Sequence, residues 1–181
     1  VGSEMCIRDS LYSALGDSMI IGGEQIVGAK PVFLALLSDP SVAMMRDSAR
    51  FLTYGLMKTF GVIGVAMAFI STAKKEKKAA TKAQIIPATL TACLVGVTEP
   101  LEFTFLFAAP ALWLVYSVLD GLFQMIVYLV GIRVCATNGI IDFLVLNLPA
   151  GIGRTRWPLY VLVGLVEICL LYTSPSPRDS T

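Results

Sequence analysis

The sequence predicts an all-α, polytopic membrane protein. Three observations indicate this class: hydrophobic residues make up 56% of the chain, charged residues only 15%, and the mean hydropathy is +0.76. Soluble domains contain roughly 45–50% apolar and about 25% charged residues. A soluble fold of 181 residues would struggle to bury this much apolar surface. In lipid each backbone polar group needs an internal partner, which favours helices.

Charge and residue content exclude several classes of function. The net charge of +1 argues against a nucleic-acid partner, which would require a basic face. The absence of histidine excludes Ser-His-Asp and Cys-His triads and histidine-ligated zinc. The four cysteines, Cys6, Cys93, Cys135 and Cys169, are far apart and show no Cys-x-x-Cys spacing. We therefore expect no metal site, no cofactor and no catalytic residue in this chain.

The two ends of the chain interrupt the hydrophobic pattern abruptly. Residues 1–10, VGSEMCIRDS, resemble the translation of a transposase sequencing adapter. Residues 169–179, CLLYTSPSPRD, correspond to the reverse complement of the same adapter. One oligonucleotide thus accounts for both ends, whereas two real polar tails would not encode one adapter. We expect residues 1–10 and 169–181 to be artefacts and residues 11–168 to be part of a membrane domain.

Residues 11–47 surround one short apolar run with turn signals. Gly22-Gly23, Gly28 and Pro31 are such signals. The apolar run over 31–37 is too short to cross a bilayer of roughly 30 Å. We predict a loop that carries a short interfacial or re-entrant helix.

Residues 51–70, FLTYGLMKTFGVIGVAMAFI, have about the length that spans a bilayer as one helix. Lys58 is the only charged residue of this stretch. Gly55, Gly61 and Gly64 allow close approach of helices, and packing within the chain is favoured over dimerisation.

The stretch that follows is strongly basic. Residues 74–82, KKEKKAATK, contain five lysines and one glutamate. They predict a solvated loop, and the positive-inside rule places that loop in the cytoplasm.

Residues 83–134 predict a re-entrant helical hairpin followed by a transmembrane helix. Residues 83–97 are apolar but cover only half a span, and they lead into the polar segment GVTEPLE, residues 96–102. A second apolar run follows, which Pro110 and Asp120 interrupt. Irregular backbone at membrane depth is tolerated only inside protein or beside a wet cavity.

The last part of the chain combines a turn-rich stretch with a helix. Residues 138–152 contain the turn signals, and residues 157–168 begin a final helix. Arg154, Arg156 and Trp157 near its start form an interfacial anchor pattern.

Glu99 and Glu102 are the main site candidates, because an ionised carboxylate within an apolar stretch is expensive. Three residues apart, they share a face if helical. Pro100 favours a helix break at Glu99, and such a tip exposes unpaired backbone groups. A carboxylate there can accept hydrogen bonds from sugar hydroxyls. A function is favoured for Glu99 and a structural role for Glu102, although helix capping, pairing with a buried cation and proton coupling stay open.

The run GVTEPLEFTFLFAAP, residues 96–110, resembles the signature of the membrane-embedded IIC component of the bacterial phosphotransferase system. The resemblance is to its glucose superfamily, in particular the maltose/α-glucoside branch. Other stretches agree in order: VGAKPVFLALLSDPSV (27–42), GVIGVAMAFISTAKKEKK (61–78), NGIIDF (138–143) and WPLYVLVG (157–164). Together they cover nearly all of residues 11–168.

This resemblance implies an all-α transporter with a dimerising half and a sugar-carrying half that includes re-entrant hairpins. The chain would be a partial C-terminal, sugar-carrying half. The resemblance assigns the sugar contact to Glu99, with Thr98 and Pro100 shaping the tip. Weaker candidates are Glu102, Arg50 and Asn138. For Arg50 and Asn138 a salt bridge and helix capping, respectively, are the favoured roles.

The implied function is that of a sugar permease component, which binds and translocates a glucose-type or α-glucoside sugar. The IIB domain then phosphorylates the sugar, so the chain would be the membrane subunit of a transferase complex. The family's phosphate-carrying cysteine lies on IIB, and the apolar settings of Cys93 and Cys135 suggest inert thiols. The implied partners are the sugar, IIB and through it IIA and HPr, membrane lipid, and a second copy of the full-length protein. The implied location is the bacterial inner membrane, with several passes.

The sequence departs from the family pattern at two places. Tyr116 stands where a histidine is often found, and Gly61-Val62-Ile63-Gly64 replaces Gly-Leu-Pro-Ala. Two other functions also fit the residues alone. One is an ion-coupled secondary transporter with Glu99 as the coupling site, and the other is a non-transporting membrane assembly module.

Overall fold

A computed structural model of the chain describes residues 17–21, 23–39, 41–108 and 110–173. Helices dominate these residues, which confirms the predicted all-α class. The elements run in this order: β1 (Ser18–Ile21), β2 (Glu24–Val27), α1 (Ala29–Leu37), a 3₁₀ helix (Asp47–Leu52), a π-helix (Met57–Gly61), α2 (Val62–Thr72), α3 (Lys78–Val95), α4 (Glu99–Ala108), α5 (Pro110–Val130), α6 (Ile140–Ala150), α7 (Ile152–Thr155) and α8 (Trp157–Thr173).

Two stretches of the described residues are long and apolar enough to cross a membrane, namely Asp47–Thr72 and Trp113–Val130. The second stretch, in α5, leaves most of its apolar side chains exposed, as expected for a surface that faces lipid.

A small β-hairpin precedes α1, in a region that the sequence predicted as loop and short helix. The strands β1 and β2 are antiparallel, and Ser18 pairs with Val27 at the open end. The sequence between the strands is Gly-Gly, a dipeptide typical of hairpin turns. The short helix itself is present as α1, which begins at Ala29 and contains the predicted apolar run over 31–37.

The helix predicted over 51–70 is not continuous. The 3₁₀ helix ends at Leu52, a turn follows over residues 53–55, and the π-helix comes before α2. The cause is a contact distant in sequence. Gly55 N–H donates to the Ala136 carbonyl at 2.8 Å, and Ala136 N–H donates to the Leu52 carbonyl at 3.1 Å. A Cβ at Gly55 would overlap the Ala136 oxygen, so only glycine permits this approach.

The predicted helix–tip–helix arrangement is present, but its break lies at residues 96–98 and not at Glu99, which is the first residue of α4. The helix α3 begins at Lys78, earlier than predicted, so part of the lysine-rich stretch is helical. It ends at Val95, and the next residue, Gly96, has a left-handed backbone (φ 77°, ψ 16°). Glycine adopts this conformation without the Cβ penalty of other residues, which makes it a common helix end.

The last helix, α8, packs against the π-helix, α2 and α5. Its buried side is formed by Tyr160, Gly164, Glu167 and Leu171, at spacings of three or four residues. The helix continues through residues 169–173, to which the adapter resemblance extends. Residues 1–10 and 174–181, the remainder of the predicted artefacts, lie outside the described residues.

Candidate functional site

A cavity of about 690 Å³ opens where the first apolar stretch, the tip and α5 meet. Arg50 and Phe51 of the 3₁₀ helix and Met57 and Lys58 of the π-helix form one wall. The tip and α4 contribute a second wall, and α5 contributes the third. The remaining lining residues are Thr53, Tyr54, Thr98, Glu99, Glu102, Trp113, Tyr116, Ser117, Asp120, Gln124 and Tyr128.

The tip presents Glu99 at the start of α4. The carbonyl of Thr98 accepts hydrogen bonds from the N–H groups of Leu101 (3.0 Å) and Glu102 (2.9 Å), which begins the helix. Thr98 is buried, whereas Glu99 is exposed at the cavity. Pro100 lies in the first turn, where its missing N–H removes no helical hydrogen bond. The acidic side chains of this turn also suit the positive end of the helix dipole.

Glu102 lies deeper than Glu99 and contacts α5. The Tyr116 hydroxyl donates to Glu102 Oε1 at 3.4 Å. Tyr116 also lines the cavity. The pair therefore joins α4 to α5 at the level of the cavity.

Arg50 reaches the cavity from the 3₁₀ helix and also forms a salt bridge. Its Nη2 lies 2.9 Å from Asp47 Oδ1, and Asp47 is in addition bound by Arg133. The guanidinium carbon lies 5.8 Å from the centre of the Tyr128 ring, a cation–π geometry. The salt bridge considered for Arg50 from the sequence thus exists beside its place in the cavity wall.

Pro100 and Asn138 are not among the residues that line the cavity. The Asn138 side chain is exposed, and α6 begins after Gly139 without a side-chain cap. The helix-capping role considered for Asn138 is therefore not observed. Its backbone instead packs against Gly96 at the tip, where an added Cβ would lie 2.8 Å from the Asn138 carbonyl carbon.

Sequence reasoning missed one whole face of α5. Polar and aromatic residues recur along it every three or four positions and line the cavity: Trp113, Tyr116, Ser117, Asp120, Gln124 and Tyr128. The opposite face carries exposed apolar residues, among them Leu114, Val118, Leu122, Met125 and Leu129. The signal in the sequence is the spacing of these polar and aromatic residues, which matches one face of an α-helix.

The cavity is rich in hydrogen-bonding groups of both kinds. Glu99, Glu102 and Asp120 bring carboxylate acceptors, and Arg50 and Lys58 bring donors. Aromatic side chains, among them Trp113, Tyr116 and Tyr128, line part of the remaining surface. No cysteine lines this cavity, and the described residues contain no group of three or more His, Cys, Asp or Glu that could hold a metal ion. The arrangement suits the binding of a polyhydroxylated, uncharged molecule.

Residues 6–121, more than half of the chain, match the model of the family described as Phosphotransferase system, EIIC. The chain belongs to this family. The resemblance found in the sequence is thereby confirmed, and the chain is part of a membrane component, as its composition predicted.

Curated relatives of this EIIC chain carry three kinds of sugar in their names. It is 39% identical over 132 residues to the α-glucoside-specific EIICB component of Fusobacterium mortiferum, covering 73% of the chain and 25% of the relative. It is 42% identical over 115 residues to the glucose-specific EIICBA component of Staphylococcus carnosus, covering 62% and 17%. It is 44% identical over 97 residues to the maltose-specific EIICB component of Bacillus subtilis, covering 54% and 18%. The chain spans a quarter or less of the length of these relatives.

Proposed function

We propose that residues 11–168 form part of the sugar permease component of a phosphoenolpyruvate-dependent phosphotransferase system. The component binds and translocates a glucose-type or α-glucoside sugar, which the IIB domain phosphorylates. One observation carries the proposal: in a member of the EIIC family, the Thr98–Glu99 tip opens into a cavity lined by carboxylates, cations and aromatic rings.

Glu99 is the principal sugar-binding residue in this proposal. It is exposed at the cavity, and its carboxylate accepts hydrogen bonds from sugar hydroxyls. Thr98 and Pro100 shape the tip, because the Thr98 carbonyl starts α4 and Pro100 occupies its first turn. Glu102 and Arg50 contribute from the cavity wall. Asn138 supports the tip through its backbone rather than contacting the sugar.

The partners follow from the names of the relatives and from the cysteines. EIICB relatives join the membrane component to a B component, which supports a IIB domain as the phosphorylating partner. The proposal assigns the phosphate-carrying cysteine to that domain. Cys135 is buried and Cys93 is half-buried outside the cavity, so neither is suited to carry phosphate to a bound sugar. Through IIB the phosphate comes from IIA and HPr.

The exposed apolar face of α5 is suited to contact with membrane lipid. In this proposal the full-length protein crosses the bacterial inner membrane several times and forms a homodimer. The lysine-rich stretch 74–82 sets the orientation, because cytoplasmic segments carry an excess of Lys. This supports a cytoplasmic location for the junction of α2 and α3.

The sugar-binding role of Glu99 is tested in the full-length permease. Glu99→Gln keeps the shape of the side chain but removes its charge, and hydrogen bonds to charged groups contribute about 1.5–3 kcal/mol. We expect sugar affinity to fall by about ten- to a hundredfold, whereas Glu76→Gln on the exposed lysine-rich stretch leaves it unchanged. If Glu99→Gln binds sugar normally, the carboxylate of Glu99 has only a structural role.

The coupling mechanism is tested by uptake into membrane vesicles. We expect labelled sugar to arrive phosphorylated and only in the presence of phosphoenolpyruvate and the soluble phosphotransferase proteins. Uptake of unphosphorylated sugar that an uncoupler abolishes would establish the ion-coupled transporter instead.

The origin of residues 1–10 and 169–181 is tested by long-read sequencing of the source DNA across both junctions. We expect the reading frame to continue into sequence unrelated to the adapter. Chromosomal codons for VGSEMCIRDS and CLLYTSPSPRD would refute this part of the proposal.

A further inference from the structure

The cavity carries more acidic than basic groups around Tyr116. Glu102 of α4 accepts the hydrogen bond from the Tyr116 hydroxyl, and Asp120 follows Tyr116 by one helical turn on the same face of α5. Both carboxylates are close enough for their charges to act on that hydroxyl. Glu99 adds a third carboxylate at the tip. We call Glu99, Glu102 and Asp120 the acidic region of the cavity.

The cations that line the cavity offset only part of this charge. Lys58 is the basic residue that the π-helix contributes. Arg50 lies beside Tyr128, which is twelve residues beyond Tyr116, or about 18 Å along the axis of α5. That distance is roughly twice the Debye length at physiological salt. Arg50 is in addition paired with Asp47 at 2.9 Å. Even with Lys58 included, the acidic region therefore keeps an excess of negative charge.

Such a region interacts differently with a sugar and with its phosphate ester. The hydroxyls of an uncharged sugar donate hydrogen bonds to carboxylates. Phosphoryl transfer forms an O–P bond at one sugar hydroxyl, breaks the S–P bond on the IIB cysteine and passes the hydroxyl proton to the thiolate or to water. The ester carries a charge of about −1.5 to −2 at pH 7. The esterified oxygen has lost its donor, so attraction to a nearby carboxylate becomes repulsion.

The partial burial of the carboxylates strengthens this repulsion. Glu102 and Asp120 are both half-buried in the cavity wall. Charges that are partly removed from water interact more strongly than charges in bulk solvent, and salt screens them less. A phosphate group on a ring held at Glu99 stays within the same cavity. The product is therefore bound less tightly than the substrate.

We propose that Glu102 and Asp120 make the cavity selective for an uncharged sugar over its phosphate ester, so that phosphorylation itself weakens binding and promotes release of the product. This inference rests on the proposed function, with the sugar held at Glu99. The carboxylates that accept hydrogen bonds from the substrate are the groups that repel the product.

The test compares equilibrium binding of glucose, glucose 6-sulfate and glucose 6-phosphate to the purified full-length permease. The two esters are similar in size, but the sulfate carries one negative charge and the phosphate about two. We expect affinity to decrease from glucose to the sulfate to the phosphate, with the phosphate bound at least about tenfold more weakly than glucose. For a permease that binds maltose but not glucose, the corresponding esters of maltose are the probes.

Asp120→Asn and Glu102→Gln each remove one charge and keep the shape of the side chain. Because either carboxylate can also contact the sugar, the measured quantity is the ratio of the Kd of the ester to the Kd of glucose. We expect each variant to lower this ratio by about three- to tenfold for the phosphate and by less for the sulfate. Glu76→Gln removes an exposed carboxylate outside the cavity and leaves the ratio unchanged.

Three results would overturn the inference. In the first, the unaltered permease binds the phosphate as tightly as the sugar. In the second, it rejects the sulfate and the phosphate equally, which indicates exclusion by size rather than by charge. In the third, neither Asp120→Asn nor Glu102→Gln changes the ratio while the Tm stays normal. If the unaltered permease binds neither glucose nor maltose, the proposed function itself fails, which distinguishes that failure from a failure of the acidic region.

Discussion

The side-chain amide of Asn147 binds both backbone polar groups of Cys135. The Cys135 N–H donates to Asn147 Oδ1 at 2.9 Å, and Asn147 Nδ2 donates to the Cys135 carbonyl at 2.8 Å. The same Nδ2 also donates to Phe143 in the preceding turn of α6. Because neighbouring Ala136 pairs with Leu52 and Gly55, Asn147 links α6 to the backbone behind the cavity wall.

Replacing Asn147 should destabilise the fold. Asn147→Leu leaves the buried N–H and carbonyl of Cys135 without partners, and each unpaired group costs about 1–3 kcal/mol. We expect the free energy of unfolding to fall by about 2–4 kcal/mol, measured as a lower Tm of the purified full-length permease. Asn138→Leu is the control, because that side chain is exposed. Equal Tm values for the two variants would contradict the role assigned to Asn147.

The tip depends on the left-handed conformation of Gly96. In Gly96→Ala the methyl group meets the backbone of Asn138 at 2.8–2.9 Å, and the left-handed backbone costs roughly 1–2 kcal/mol more with a Cβ. We expect both a lower Tm and weaker sugar binding, since the residues that follow place Glu99.

The matched control for that variant is Gly121→Ala in α5. A Cβ there has no neighbour within 4 Å, and alanine favours a helix over glycine by about 1 kcal/mol. This change should leave sugar binding intact and raise the Tm slightly. If both variants lost sugar binding, the loss in Gly96→Ala could not be attributed to a change at the tip.

Glu167 lies in α8 with an exposed fraction of 0%, and neither of its carboxylate oxygens has a hydrogen-bond partner among the described residues. A buried polar group without a partner is destabilising. Glu167→Met has similar length without the polar atoms, and we expect it to raise the free energy of unfolding by about 1–3 kcal/mol. Thermal unfolding measures the change, with exposed Glu76→Met as the control. A destabilised variant would mean that a part of the permease outside the described residues pairs with Glu167.

The cysteines of the membrane domain should be dispensable for phosphate transfer. Cys135 is buried, and the Cys93 thiol lies 3.5 Å from the Thr59 carbonyl, outside the cavity. The double variant Cys93→Ala, Cys135→Ala should therefore phosphorylate sugar at the normal rate in the phosphoenolpyruvate-dependent assay. A loss of phosphorylation in a variant that still binds sugar would place the phosphate carrier within this domain.

The tip was predictable because its signals are local. Gly96 ends one helix and Pro100 occupies the first turn of the next, and both residues act through their own backbone geometry. The final helix was predictable for the same reason, since Trp157 begins it as the interfacial pattern indicated.

The break in the first apolar stretch was not predictable from local pattern. In the sequence, Gly55 is compatible with the surface of a continuous helix. In the structure it contacts the backbone of Ala136, more than seventy residues later in the chain, and the helix is interrupted there. The polar face of α5 that lines the cavity was visible in the sequence as polar residues at helical spacing. It was overlooked because Asp120 was interpreted as an interruption of an apolar run rather than as one member of a face.

The π-helix Met57–Gly61 contains one more residue per hydrogen-bonded turn than an α-helix. One inserted residue advances the angular phase of everything that follows by about 100°. Met57 and Lys58, at the start of the π-helix, line the cavity, and Gly64, in the first turn of α2, packs against Ile168 and Leu171 of α8. A single apolar stretch thereby serves two neighbours on different sides. Deleting one residue of the π-helix would remove this difference in angular phase. The stretch would then keep either its place in the cavity wall or its packing against α8, but not both.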